Sequence, residues 1–283
     1  MDLLIRKIPI SFFAGFIFLS LGFSDPFKDL DINFLLNSTV EKKISKKVNP
    51  KKKSKEKPFQ EVVKEFQKID GLFTLYWNEK TNQAYISILP GQFDNIYLAG
   101  LTRQSGDGYY LDGSSMLNEY PFMFRKVGKR IQYINANVKF RADEDSPFYR
   151  SVERHTSHSI LSSTEIASKP HPKTDAILAD IGKLFIYDIE EITRKSQGIY
   201  SFDKKDSYFT ALKSFPFNTE IEIALHFKGK KGKYIYTLPS STSALIHYHI
   251  SLSSIPETDY EPRLADDRVG HFVTMYQDYT DVR

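Results

Sequence analysis

From Leu72 onward, apolar and polar side chains repeatedly alternate with a period of two residues, which is the pattern of half-buried β-strands. The alternation is seen in LFTLYWN (72–78), QAYISILP (83–90) and TEIEIALHF (219–227). The chain also holds 17 Tyr and 22 Phe, and aromatic residues are enriched in strands. The sequence therefore predicts an α+β fold that is mainly antiparallel β, with sandwich-like sheets and two or three helices.

Turn and capping residues place the elements along the chain. The segment 79–82 predicts a turn between two strands, and 127–130 predicts a tight hairpin around Gly128. An amphipathic helix is expected from Pro58, at the first helical position, to just before Asp70. A second helix is expected over 175–192, which has apolar residues on one face.

Positive charge is concentrated in one segment. Residues 41–57 hold nine Lys and two Glu and carry +7, so the rest of the chain carries −3. A nucleic-acid-binding body is therefore disfavoured, and the segment lacks the aromatic residues that stack on bases. We interpret 25–57 as a disordered Lys-rich linker. It is either a solvated spacer or a weak contact with an anionic surface through 41–57.

The N-terminus resembles a secretory signal peptide, residues 1–24. Arg6 and Lys7 precede an apolar run, and Gly22 and Ser24 are the small residues of a cleavage site. The run of about 16 residues is shorter than the roughly 20 needed to span a bilayer. An uncleaved N-terminal anchor is the alternative. In both cases we expect the body to be extracytoplasmic, either periplasmic or secreted.

Several kinds of chemistry are excluded by residue type. The chain has no Cys, so it has no disulfide, Cys-ligated zinc, iron–sulfur cluster or thiol nucleophile. HExxH, GxSxG and P-loop motifs are absent from the sequence, and no catalytic residue is assigned. His247 and His249 lie two apart in a predicted strand, so both imidazoles share a face and are weak metal candidates. Ordinary packing on a half-exposed sheet face is the alternative.

The string Tyr-x-Pro-Arg-x-x-Asp-x-Arg-Val-Gly-x-Phe occupies Tyr260 to Phe272. It resembles the segment just upstream of the catalytic domain in a family of large secreted bacterial zinc-dependent metalloproteases with a metzincin-like HExxH domain. Other stretches resemble that family's N-terminal domain of unknown function, and the likeness covers about 57–283. They are 57–59 with 71–73, 140–142, 159–161 and 215–220.

The resemblance implies a β-rich N-terminal domain, residues 58–283, which ends in the linking segment 260–283. It implies no cofactor in this chain, because zinc belongs to an HExxH domain located beyond residue 283 or on a second chain. The domain would cover, orient or assist that catalytic partner, or recognise a protein or peptide substrate. The interdomain contact residues that it implies are Tyr260, Arg263, Asp266, Arg268, Gly270, Phe272 and Tyr276.

Two other functions stay open on the sequence. The chain could be a free-standing extracytoplasmic module that binds a glycan or a peptide through Trp77, Tyr109 and Tyr110, which a concave aromatic pocket would support. It could also be an autonomous metalloenzyme that uses His247, His249 and a remote third ligand. An exposed apolar patch near the C-terminus would instead favour the accessory domain.

Overall fold

The structure, a computed structural model, describes residues 56–108, 111–230, 237–261, 268 and 275–280. The expected signal peptide and most of the Lys-rich linker lie outside these residues. The chain from residue 54 onward forms one compact unit.

The strands of this unit are labelled in chain order. They are β1 (Gln67–Ile69), β2 (Thr74–Asn78), β3 (Gln83–Ile88), β4 (Tyr97–Ser105), β5 (Ser115–Val127), β6 (Arg130–Asn135), β7 (Phe140–Arg141), β8 (Ser159–Glu165), β9 (Ile177–Asp180), β10 (Tyr200–Ser214), β11 (Asn218–Gly229), β12 (Ser243–Ser253) and β13 (Gln277–Asp278). The helices are short: α1 (Phe59–Val62), α2 (Tyr149–His155), α3 (Ile181–Phe185) and α4 (Ile192–Lys195).

Two antiparallel sheets carry the fold. The larger has seven strands in the order β10-β11-β12-β4-β5-β6-β8, and the smaller has four in the order β1-β2-β3-β9. Register shifts interrupt the larger sheet within β10 and at the β12–β4, β4–β5 and β6–β8 pairings. Such irregularities increase local twist and bend a strand, so the sheet is curled. These sheets confirm the mainly antiparallel β fold expected from the alternation.

One hydrophobic cluster contains side chains from both sheets. Leu75 and Ile86 of the smaller sheet are fully buried in it, as are Phe122 and Tyr133 of the larger one. Tyr133 also meets Phe185 of α3 edge to face, with 4.9 Å between the ring centres. We call the core-facing side of the seven-stranded sheet its inner face. The other side is the outer face.

Both turns that the sequence predicted are present. Asn78 pairs with Gln83 across the first turn, and Val127 pairs with Arg130 across the second. Gly128 has φ +56°, which an L side chain adopts only with strain. The two-residue hairpin loop requires this angle, so glycine is the residue that fits.

The two long helices predicted from apolar spacing are wrong. The first is only α1, and the chain then forms β1, which pairs with β2. In the second, Asp175 has φ +54° and does not begin a helix, and Ile177–Asp180 forms the buried strand β9 beside β3. Strand pairing satisfies the backbone of both segments in a way that a short isolated helix cannot.

The strand β10 was not predicted at all. Its middle holds the polar run DKKDS (203–207), which hides the alternation on either side. The register between β10 and β11 shifts between Asp203 and Tyr208, so the polar run lies in the irregular part of the strand. None of the helices in the described ranges has the length and apolar character that crossing a bilayer requires.

Asn82 joins the β2–β3 turn to the larger sheet. Its side chain accepts a hydrogen bond from the Phe209 backbone N and donates one to the Phe209 O, both at 2.9 Å. Its φ is +51°. We expect Asn82→Ala to lower the free energy of unfolding by about 3 kcal/mol, because it loses two hydrogen bonds and strains the left-handed residue.

The matched variant for this prediction is Asn82→Gly, which loses the hydrogen bonds and keeps the backbone angle. It should cost about 2 kcal/mol in urea unfolding, less than the alanine variant. Two variants as stable as the wild type would show that the side chain does not join the sheets.

Candidate functional site

The end of the expected linking segment is attached to the body of the domain. β13 pairs with β7 in parallel, and Arg141 Nε contacts Asp278 Oδ2 at 2.7 Å. The Arg141 guanidinium lies 4.0 Å from the ring centre of Tyr276, within cation–π range. Hydrogen bonds from Thr280 and Arg141 lower the pKa of the Asp278 carboxyl to about 2.

The seven residues implied as interdomain contacts are not all described. Arg263, Asp266, Gly270 and Phe272 lie outside the described residues, and Arg268 is exposed. Tyr260 is 67% exposed, and Tyr276 is partly covered by Arg141. The structure therefore brings Tyr276 to an anchored surface, and it leaves the Tyr260 side chain facing solvent.

Of the three aromatic residues expected to bind a ligand, Trp77 is the one that lies within the described residues. Trp77 lies on β2, is half-buried and packs against the core. Its indole nitrogen is buried, so Trp77 is not the exposed platform that the sequence suggested. Tyr109 and Tyr110 lie outside the described residues.

His247 and His249 do share the outer face of β12, as their spacing predicted. His249 Nε2, however, is 2.5 Å from Glu220 Oε2 on the neighbouring strand β11. Within the described ranges, the one group of three side chains that could hold a metal does not include His247 or His249. The two histidines therefore have no third ligand there. The position of His249 is explained by its cross-strand contact with Glu220 on the outer face.

The group of three consists of Asp203, Asp206 and His226, whose ligand atoms lie within 4.8 Å of one another. His226 Nδ1 is 3.1 Å from Asp203 Oδ2, and its Nε2 is 2.9 Å from Ser243 Oγ. Lys228 Nζ contacts the same Asp203 oxygen at 2.6 Å and is the main cause of the lowered pKa of that carboxyl. A cation would have to displace this ammonium, so the cluster reads as an ion-pair network at the β10 irregularity.

A buried ion pair lies under the loop 186–191. Arg103 of β4 is 5% exposed and Glu190 of the loop is 9% exposed. Arg103 Nη2 donates to Glu190 Oε1, and Arg103 Nε donates to Oε2 at 3.3 Å. The Tyr248 hydroxyl donates to the same Oε2 at 3.0 Å, and burial next to Glu190 raises the pKa of this phenol.

Strand register explains why these groups meet. Tyr248 of β12 lies directly opposite Arg103 of β4, and both point to the inner face. The loop brings Glu190 to them because Asp188 accepts hydrogen bonds from the backbone N of Ile192 and Thr193, both at 2.8 Å. The left-handed Glu191, with φ +58°, then leads into α4.

A cleft of about 310 Å³ lies between this loop and the inner face of the larger sheet. It is lined by Leu101, Leu117, Asn118, Tyr120, Asn135, Leu161, Tyr187, Ile189, Glu190, Glu191, Lys195 and Ile250. The sequence analysis assigned no role to any of them. The only usable signal was an Arg at an inner-facing strand position, because a buried charge of this kind requires a partner.

We expect Glu190→Ala to lower the free energy of unfolding by about 3 kcal/mol, because it removes the buried partner of Arg103 and leaves only the exposed Asp112 carboxylate at 3.5 Å. The double variant Arg103→Met with Glu190→Leu should recover most of that loss, since a packed apolar pair replaces the ions. Urea unfolding measures both. Lys195→Ala is the control, because an exposed ammonium 3.9 Å from Glu190 should contribute under about 1 kcal/mol.

The contact between His249 and Glu220 makes stability depend on pH. The hydrogen bond to Glu220 raises the pKa of His249 against the opposing effect of burial. The stabilisation is therefore complete below the unfolded His pKa of about 6.5, and it is lost as pH rises through the raised folded value. Burial alone would raise the pKa of Glu220, but hydrogen bonds from His249, Asn218 and Ser251 hold it below its usual value.

NMR titration of His249 tests this pH dependence. Glu220→Gln should move the pKa of His249 down and flatten the loss of unfolding free energy as pH rises above about 6.5. Glu222→Gln is the matched control, because Glu222 acts on His249 only through its charge and should move the pKa less. An unchanged pKa in Glu220→Gln would contradict the assignment.

Comparison with known proteins gives one match. The profile of the family described as Domain of unknown function (DUF5117) matches residues 114–283, which contain β5 to β13 and the loop 186–191. No curated protein matches the chain, and no solved structure does. Because the matched residues make up more than half of the sequence, the chain belongs to the family described as Domain of unknown function (DUF5117).

Proposed function

We propose that the chain is the non-catalytic N-terminal or accessory domain of an extracytoplasmic zinc-dependent metalloprotease. It covers, orients or assists an HExxH domain, either in the same polypeptide or on a second chain, or it recognises that enzyme's substrate. The observation that carries the proposal is the anchored segment 275–280. It follows the stretch Tyr260 to Phe272, which resembles the metalloprotease family, and it presents apolar side chains to solvent.

The anchoring supports a domain junction. The pairing of β13 with β7 and the contact between Arg141 and Asp278 fix the backbone of the segment. Ser146 Oγ donates to Tyr279 O at 3.0 Å, and Asp143 N donates to Thr280 Oγ1, also at 3.0 Å. A chain that leaves the domain from such a fixed point holds the next domain close to this surface.

The exposed side chains suggest that a protein covers this surface. Met275 is 79% exposed, and Tyr276, Tyr279 and Phe148 are also exposed. Phe148 belongs to the same region because its backbone N donates to Ser146 Oγ, which in turn binds Tyr279. Exposed aromatic and Met side chains next to an Arg are typical of the core of a protein–protein interface.

The zinc ligands and the catalytic Glu belong to the partner in this proposal. The extracytoplasmic location rests on the signal-like residues 1–24, and the Lys-rich 41–57 would make at most a weak contact with an anionic surface. The domain therefore contributes surface and orientation to the assembly rather than bond-breaking chemistry.

The test is titration of the full-length chain with the HExxH domain of a zinc metalloprotease from the same organism, followed by calorimetry. We expect binding, and Met275→Asp should weaken it at least about tenfold because it places a charge in an apolar contact. Met116→Asp is the matched control, since Met116 is 71% exposed on β5 and lies outside this surface.

Two outcomes would overturn the proposal. One is the absence of binding to the HExxH domain at any accessible concentration. The other is an equal loss of affinity in the Met275 and Met116 variants, which would show that the surface around 275–280 is not the contact. Thermal unfolding of both variants checks that neither substitution disturbs the fold.

A further inference from the structure

The floor of the cleft under the loop 186–191 is aliphatic. Leu101 and Ile250 lie opposite each other on β4 and β12, and Leu117 of β5 lies next to them. Leu161 and Ile189 close the sides. Tyr120 and Tyr187 also line the cleft, and the floor of Leu and Ile complements an aliphatic side chain.

Polar groups on the walls lack protein partners. In the described part of the chain the Tyr187 hydroxyl and the amides of Asn118 and Asn135 make no hydrogen bond to the protein. Burial raises the pKa of the Tyr187 phenol, which therefore stays a neutral donor. The hydroxyl and the two amides are therefore available to hydrogen-bond a group bound in the cleft.

The charges of the cleft are unevenly matched. Glu190 is held by Arg103, and Glu191 is held by Arg194 through its Nε at 2.9 Å. Lys195 is the one cation that lines the cleft. Its side chain is 58% exposed, and its ammonium lies 3.9 Å from Glu190, which Arg103 already holds. The wall of the cleft therefore offers an ammonium and a phenol to an anion, next to an aliphatic floor.

We propose that this cleft binds a carboxylate carried on an aliphatic body, as in the C-terminal residue of a short peptide. Lys195 and Tyr187 receive the carboxylate, and the side chain packs on Leu101, Leu117 and Ile250. The amides of Asn118 and Asn135 each offer a donor and an acceptor, which is the complement of a peptide group. A volume of about 310 Å³ is at the small end for ligand sites and suits one or two residues.

The proposal stands on the cleft alone and does not require a metalloprotease partner. It would hold if the domain bound no HExxH domain, and the domain could bind an HExxH domain with the cleft empty. A negative result in the HExxH-binding test and a negative result in the cleft-binding test can therefore be told apart.

The experiment is an NMR titration of the full-length chain with three probes. They are acetyl-Ala-Leu with a free carboxylate, its C-terminal amide, and hexanoate. We expect acetyl-Ala-Leu to bind with a Kd near the millimolar range, with its largest shifts in the residues that line the cleft, and the amide to bind at least about tenfold more weakly. Hexanoate should bind more weakly than acetyl-Ala-Leu, because it lacks the peptide group that Asn118 and Asn135 complement.

Variants separate the cleft from general charge attraction. Lys195→Gln should weaken acetyl-Ala-Leu binding at least about tenfold, and Lys80→Gln, the same change in the β2–β3 turn, should leave it unchanged. Asn118→Ala should weaken binding, whereas Glu119→Ala, at the next and equally exposed position, should not. Unfolding curves confirm that each variant is folded.

The proposal is overturned if the acid and the amide bind equally, or if Lys195→Gln and Lys80→Gln behave alike. Tighter binding of hexanoate than of acetyl-Ala-Leu would overturn the assignment to a peptide end. No shift in the residues that line the cleft at about 20 mM of any probe would overturn the site itself.

Discussion

The ion pair between Arg103 and Glu190 decides how the loop 186–191 lies on the larger sheet. Both side chains are almost fully buried, and Tyr248 supplies a further hydrogen bond to Glu190. A buried pair of this kind stabilises little compared with packed apolar residues, because both ions lose their hydration. Its effect is on specificity, since any other position of the loop would separate Glu190 from Arg103 and leave Arg103 with only the exposed Asp112 carboxylate. The cleft exists because the loop is held there.

The curl of the seven-stranded sheet determines where the core of the molecule lies. Its irregular registers bend the strands around one core that the smaller sheet shares. The inner face thereby collects the apolar side chains and the buried pair. The outer face keeps its polar contacts, such as that between His249 and Glu220. The polar cluster around His226 lies at the irregular part of β10, where the register with β11 shifts.

The alternation of side chains was sufficient to predict a mainly antiparallel β fold, and Gly128 was sufficient to predict its hairpin. The long helices failed because apolar residues three and four apart also occur where a short helix adjoins a strand, as α1 does before β1 and α3 does after β9. The strand β10 was missed because its polar run belongs to a register shift, which only its partner β11 defines. At the site, the His pair was visible in the sequence, but its partner Glu220 comes from a strand 29 positions earlier.

The sequence by itself determined the fold class and two of the turns, and it showed the resemblance of Tyr260 to Phe272 to a known family. These features depend on neighbouring residues and on short periodicities. Tertiary structure alone decided which charges are paired and where a cleft opens. Arg103 and Glu190 are 87 positions apart, and Arg141 and Asp278 are 137 apart. Contacts over such separations depend on the register of strands and on the bend of the sheet, and no local pattern of residues encodes these two properties.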